Sequence, residues 1–60
     1  MSANLEDRTY AVTVGGVRQK FNGIHLPDQP LSSSDYWRVR ELKVGQDFYD
    51  ADGDRWERVQ

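Results

Sequence analysis

Apolar and polar residues alternate along two stretches in the first third of the chain. A Gly-Gly pair separates residues 9–14 from residues 17–21, and glycine readily adopts the positive φ angles that a two-residue hairpin turn requires. With that turn, Val14 faces Val17. One side of the strand pair is then apolar except for a glutamine, and the other side is polar. The pattern predicts a half-buried antiparallel hairpin.

A second alternating pattern surrounds an Asp-Gly pair near the end of the chain. A two-residue Asp-Gly turn is favoured in hairpins and would set Asp50 opposite Arg55 and Tyr49 opposite Trp56. A three-residue turn would instead set Phe48 opposite Trp56 and would bring acidic residues opposite one another. Because opposite charges stabilise a strand pair, and because a slip of one residue exchanges its faces, the sequence favours the two-residue turn.

Turn-forming residues dominate the segment between the two hairpins. Pro27 and Pro30 exclude a regular helix or a central strand there, because proline fixes φ and lacks an amide hydrogen. Residues 22–35 are therefore predicted to form a long loop, and long loops in small domains are commonly functional or mobile.

The run that follows, residues 36–42, is compatible with two structures. As a strand it would place Trp37 and Val39 on one face. As a helix capped by Ser34, it would place Tyr36 and Val39 near one stripe and would end before a glycine. Its aromatic and β-branched residues favour the strand.

Together these elements predict an all-β domain. It would be a small curled antiparallel sheet or barrel of two hairpins, about residues 9–21 and 46–59, plus a middle strand, with the C-terminal strand at an edge. The alternative is an α+β fold with a short helix near 34–43. A single domain would span 1–60, with a flexible N-terminus at 1–7. The predicted core comprises Tyr10, Val12, Val14, Val17, Phe21, Trp37, Val39, Leu42, Tyr49 and Trp56.

Length and composition restrict the possible chemistry. Sixty residues bury only about 60% of the surface of the unfolded chain, and without cysteine neither disulfides nor thiolate metal sites are available. The single histidine, His25, cannot build a zinc site alone. The net charge of −2 argues against bulk attraction to nucleic acid or anionic lipid. Neither a metal nor a cofactor is expected.

Two patterns resemble catalytic or metal sites and are better explained as turns. The acidic residues between 47 and 54 lack the glycine position and flanking helices of a calcium loop. His25 and the serines at 32–34 would need an oxyanion hole and a substrate pocket, which so short a chain can hardly supply. The sequence therefore predicts that the chain is not an enzyme.

Aromatic and arginine residues alternate from position 36 to position 40. These residue types are enriched at the centres of protein interfaces, and they can also stack nucleic-acid bases. Because acidic residues lie nearby, a protein partner is favoured, and single-stranded nucleic acid or RNA is the alternative. The candidate partner-binding residues are Ile24, Leu26, Tyr36, Arg38, Arg40 and Phe48.

These expectations describe a non-catalytic binding module that regulates a larger protein. Arginine-rich, isoleucine-poor usage is typical of GC-rich genomes and points to a phage or bacterial accessory protein. The first residues lack a signal-peptide pattern, and no apolar run approaches the ~20 residues that span a bilayer. The cytoplasm is the expected compartment and no membrane contact is expected. Exposed edge strands also predict a possible homodimer.

Overall fold

A four-stranded antiparallel sheet with one α-helix on one face organises the chain. The computed structural model describes residues 4–60. The strands follow the order β2-β1-β4-β3 across the sheet, so the C-terminal strand lies inside the sheet and its predicted edge position is wrong. The elements are a 3-10 helix η1 (Leu5–Asp7), β1 (Thr9–Val14), β2 (Val17–Asn22), a 3-10 helix η2 (Gly23–Asp28), α1 (Ser33–Arg40), β3 (Asp47–Tyr49) and β4 (Arg55–Arg58).

The first hairpin confirms the predicted register. Val14 lies opposite Val17 and Tyr10 lies opposite Phe21. Gly15 and Gly16 have φ angles of 58° and 82°, which is the pair of positive values that a tight two-residue turn needs. A side chain at either position would strain the turn.

The second hairpin has the three-residue turn, so the preferred register is wrong. Phe48, not Tyr49, lies opposite Trp56. The amide of Asp50 donates to the carbonyl of Asp54 at 3.0 Å and closes a loop over 51–53. The last loop residue is glycine with φ 85°, as three-residue hairpin loops require.

The Asp50 carboxylate explains why this register prevails over the expected ion pairs. It accepts the amide hydrogens of Asp52 and Asp54 and the indole N–H of Trp56, each at 2.9 Å. In the two-residue register this carboxylate would face an arginine across the strands instead. Charge balance is restored by Arg55, which contacts Asp47 at 2.9 Å and Glu57 at 3.5 Å.

The predicted middle strand is wrong: its residues form the helix α1, which was the alternative structure. Ser32, rather than Ser34, is the N-cap, and its hydroxyl accepts the amide hydrogen of Asp35 at 3.3 Å. The helix buries Val39 completely and packs mainly against β3, β4 and η2. The chain is thus a small, mostly β domain with one α-helix.

The connection predicted as a long loop over 22–35 holds regular structure at both ends. It contains η2, in which Pro27 is tolerated and Leu26 is fully buried, and the first residues of α1. Of the N-terminal segment predicted to be flexible, residues 1–3 lie outside the described part of the chain, while η1 occupies residues 5–7.

The core centres on aromatic rings from three strands. Phe21 stacks on Tyr10 with ring centres 6.0 Å apart and meets Trp56 edge-on at 6.2 Å. Tyr10, Val12, Val39 and Trp56 are buried as predicted, and Phe21 and Leu42 are partly buried. Ala11 and Leu26 are also fully buried, although neither was predicted to be in the core.

Four residues of the predicted core are instead exposed: Val14, Val17, Trp37 and Tyr49. The two valines flank the first turn, away from the elements on which α1 mainly packs. Tyr49 moves to the outer face of the sheet because the register differs by one residue. Trp37 follows a helical rather than a strand periodicity and lies on the solvent side of α1.

Gly23, the first residue of η2, packs directly against the backbone of η1. A Cβ atom at this position would overlap the carbonyl oxygen of Leu5 and would lie 3.2 Å from the Tyr10 ring. The Gly23 amide donates to the carbonyl of Arg8 at 2.8 Å, which fixes the backbone there. Close approach of two backbone segments therefore requires glycine.

We expect Gly23→Ala to lower the free energy of unfolding by about 2 kcal/mol, because the added methyl group forces η1 away from η2. Urea unfolding followed by tryptophan fluorescence measures the change. Ile24→Ala is the matched control: its side chain is 53% exposed, so its effect should stay within about 0.5 kcal/mol. Equal effects of the two substitutions would contradict the role of Gly23.

Candidate functional site

Three side chains of α1 form an exposed aromatic–arginine cluster: Tyr36, Trp37 and Arg40. The Trp37 side chain is 51% exposed. The Arg40 guanidinium carbon lies 4.9 Å from the centre of the Trp37 ring, and the Tyr36 ring meets Trp37 edge-on at 5.4 Å. Arg40 also donates to the Tyr36 hydroxyl at 3.4 Å. Residues three and four positions apart are neighbours on a helix, so the helical conformation creates the cluster.

A groove runs beside this cluster, between α1 and the two 3-10 helices. It consists of two adjoining hollows of about 440 Å³ and about 310 Å³, which share Pro27 as a wall. The larger hollow is lined by Asn4, Leu5, Glu6, Ile24, Pro27 and Arg40. The smaller one is lined by Pro27, Gln29, Leu31, Ser33 and Tyr36. Both volumes are of the size that small ligands or side chains fill.

The structure divides the candidate partner-binding residues into three groups. Ile24, Tyr36 and Arg40 line the groove together. Arg38 lies over the Phe48 ring at 5.9 Å and forms a separate pair on another flank of the helix. Leu26 is fully buried, so its expected contact with a partner is wrong.

The change from strand to helix explains this division. A strand would align Tyr36, Arg38 and Arg40 on one face. A helix turns by about 100° per residue, which keeps positions 36 and 40 together and moves Arg38 to the opposite flank. Sequence reasoning missed Trp37 as a surface residue, and the spacing of positions 36, 37 and 40 would have revealed it under the helical alternative.

Backbone carbonyls at the C-terminal end of α1 are capped by two arginines. Arg8 donates to the carbonyl of Arg40 at 2.6 Å, and Arg58 donates to the carbonyl of Leu42 at 3.2 Å. Cations are favourable there because unpaired carbonyls give the end of a helix a partial negative charge. The Arg8 Nε atom is buried without a hydrogen-bond partner among the described residues.

Positive charge accumulates around this end of the helix. Among residues 4–60, the ion pairs join Arg18 to Glu57, Arg55 to Asp47 and Glu57, and His25 to Asp28. Five basic residues on or near the last turn of α1 take part in none of these pairs: Arg8, Arg38, Arg40, Lys43 and Arg58. The overall charge of −2 therefore conceals a locally basic surface.

The acidic turn of the second hairpin is explained by its own hydrogen bonds. Carboxylate oxygens of Asp50, Asp52 and Asp54 lie within 4.8 Å of one another. Burial alone would raise the pKa of Asp50. Hydrogen bonds from the Trp56 indole and from the amides of Asp54, Asp52 and Gly53 outweigh burial and lower that pKa below its ordinary value of 3.8. This carboxylate therefore acts as an acceptor that shapes the turn.

His25 and the serines near it are not assembled into a catalytic group. The His25 Nδ1 atom lies 4.0 Å from the Asp28 carboxylate, and both side chains are mostly exposed. The Ser32 hydroxyl caps α1 and lies 3.5 Å from the Ser34 hydroxyl. The Ser32 hydroxyl thus serves as the cap of the helix. Among the described residues, no hydrogen bond joins it to His25.

Comparison with known proteins assigns no family to the chain. No family model matches it, and neither curated proteins nor solved structures give a significant match. Across residues 4–60, no helix combines the length and the apolar character needed to cross a bilayer.

We expect Asp50→Asn to destabilise the fold at neutral pH by about 1 kcal/mol, because a charged acceptor of three hydrogen bonds is lost at a partly exposed site. The lowered pKa of Asp50 means that its stabilisation is complete above pH 3.8 and is lost as the pH falls through the folded-state value. Urea unfolding at neutral pH and well below pH 3.8 should therefore show the difference from the wild type shrinking in acid.

Asp52→Asn is the control for this measurement. It removes the same charge from an exposed side chain of the same turn, and relief of repulsion between neighbouring carboxylates should leave the stability unchanged or slightly higher. A loss of stability as large as that of Asp50→Asn would mean that turn charge in general, and not the acceptor geometry of Asp50, stabilises the hairpin.

Proposed function

We propose that the chain is a non-catalytic binding module that holds a segment of a larger protein in the groove, with Trp37 as its anchor. The observation that carries this proposal is the exposed Trp37 ring, which is flanked by Tyr36 and Arg40 at the side of the groove. Tryptophan, tyrosine and arginine are the residues most enriched among those that dominate protein interfaces.

The rigidity of the cluster supports a recognition role. Trp37 has contacts on its face and edge, from the Arg40 guanidinium and the Tyr36 ring. These contacts restrict its rotamers before any partner arrives, so less conformational entropy is lost on binding. The apolar walls provided by Ile24, Pro27 and Leu31 give the partner a surface to cover beside the ring.

A protein partner is better supported than single-stranded nucleic acid or RNA. Bases bind by stacking on open aromatic faces, whereas guanidinium groups already lie over Trp37 and Phe48. The two arginines also lie on different flanks of α1, and the acidic residue Glu6 lines the groove. In this proposal the module acts as an accessory or regulatory protein in the cytoplasm.

The proposal is tested by affinity capture from a lysate of the source organism, with and without nuclease. We expect a protein that is recovered stoichiometrically after nuclease treatment. Trp37→Ala should reduce its recovery by about tenfold or more, because the anchor of the interface is removed. The unfolding midpoint of the variant should stay close to that of the wild type, since half of the side chain is exposed.

Tyr49→Ala is the matched control for this capture. Tyr49 is 61% exposed and lies on the outer face of the sheet, so removing it changes aromatic surface without touching the groove. Equal recovery with Trp37→Ala and wild type would refute Trp37 as the anchor of the interface. Recovery of nucleic acid alone would refute the protein-binding function.

A further inference from the structure

Arg40 is held in a fixed orientation while its charge has no partner. Its guanidinium lies over the Trp37 ring and donates to the Tyr36 hydroxyl, and its carbonyl accepts from Arg8 and from the Tyr10 hydroxyl. No carboxylate within residues 4–60 forms an ion pair with it. A planar guanidinium that is oriented in advance can bind a carboxylate through two parallel hydrogen bonds.

The surroundings add to the attraction for an anion. Arg8 lies against the backbone of Arg40, and Arg58 lies against the next carbonyls along the chain. Neither is paired with an Asp or Glu side chain of the described residues, and Arg58 Nε also donates to the backbone oxygen of Gln60 at 3.1 Å. Because several unpaired cations raise the local potential, an acidic segment is attracted to this end of α1 despite the net negative charge of the chain. The negative charges of Glu6 and the exposed Glu41 weaken this potential, but neither residue forms an ion pair with these arginines.

The hollow beside Arg40 has polar walls from Asn4 and Glu6 and an apolar side. Leu5, Ile24 and Pro27 line it together with Arg40, so a charged group at Arg40 and an apolar side chain in the hollow can be bound side by side. The second hollow continues past Pro27 towards Tyr36, which leaves room for residues on both sides of the charged one. This shape fits the middle of an extended chain better than a chain end.

On the basis of the function proposed above, we propose that the groove recognises an acidic side chain within an extended segment of the partner protein. The Asp or Glu carboxylate binds the Arg40 guanidinium, and a neighbouring apolar side chain fills the hollow between Leu5, Ile24 and Pro27. Glu6 lies in the same hollow and repels this carboxylate. Removal of Arg40 charge and removal of Glu6 charge therefore have opposite effects on affinity.

The test uses two capped tripeptides as probes, acetyl-Leu-Glu-Leu-amide and acetyl-Leu-Gln-Leu-amide. Titrations are followed by the side-chain NMR signals of the Trp37 indole N–H and the Arg40 Nε–H. We expect the Glu peptide to bind about tenfold more tightly than the Gln peptide, because its hydrogen bonds to Arg40 are charge-assisted. That preference should weaken as salt is added.

Three variants separate the role of Arg40 from general charge effects. Arg40→Gln should abolish the preference for the Glu peptide, and Glu6→Gln should increase it. Arg38→Gln is the matched control, because this arginine is on the same helix but lies over Phe48, and its removal should leave the preference intact. Circular dichroism of each variant checks that the fold is retained.

Equal binding of the two peptides, or no binding of either, would overturn this inference. The proposal that the chain binds a protein would still be tested separately by the capture experiment with Trp37→Ala. Tighter binding of acetyl-Leu-Gln-Leu with a free terminal carboxylate would assign the groove to chain ends instead. If a uridine octamer displaces the Glu peptide at a concentration lower than that of the peptide, the basic surface binds nucleic acid instead.

Discussion

The hydrogen bond between the Trp56 indole and the Asp50 carboxylate determines which face of the second hairpin meets the core. It requires the three-residue turn, which sets Phe48 opposite Trp56 and turns Tyr49 outwards. Trp56 itself lies opposite Val12 on β1 and meets Phe21 on β2. A single side chain thus connects all four strands, and the position of every inward-facing residue of β3 and β4 depends on this contact.

The orientation of α1 depends on the core-facing side of the second hairpin. Val39 packs into the core beside Trp56, so the rotation of α1 about its own axis is fixed by what the second hairpin presents. Once Val39 is inward, Trp37 must point away from the sheet, and Tyr36 and Arg40 must lie together at the side. The groove is therefore a consequence of how the core is assembled. The helix η2 completes it, because the buried side chain of Leu26 positions Ile24 and Pro27 at the groove wall.

Local patterns predicted the structure where backbone angles alone decided it. The Gly-Gly turn sets its register through backbone angles alone, and that hairpin was predicted residue by residue. The second hairpin was not, because cross-strand charge pairs are weak and the three hydrogen bonds to the partly exposed Asp50 carboxylate outweigh them. Residues 36–40 belong to a helix in which Val39 is buried against strands that are distant in sequence, and local periodicity alone does not decide between helix and strand there. Ile24, Tyr36 and Arg40 line the groove, whereas the strand assumption hid the exposure of Trp37.

The exposure of Trp37 leaves burial free energy unused, and that amount is large relative to the total stability of so short a chain. Full burial of an aromatic side chain stabilises a fold by roughly 2–3 kcal/mol, and small domains have a total stability of only about 5 kcal/mol. With six apolar residues buried in the core among residues 4–60, this chain has little stability to spare. A fold under that constraint would gain by turning Trp37 inwards or replacing it with a charged residue. The partner proposed above would cover Trp37, which lies under a guanidinium at the side of the groove, and would recover part of that burial.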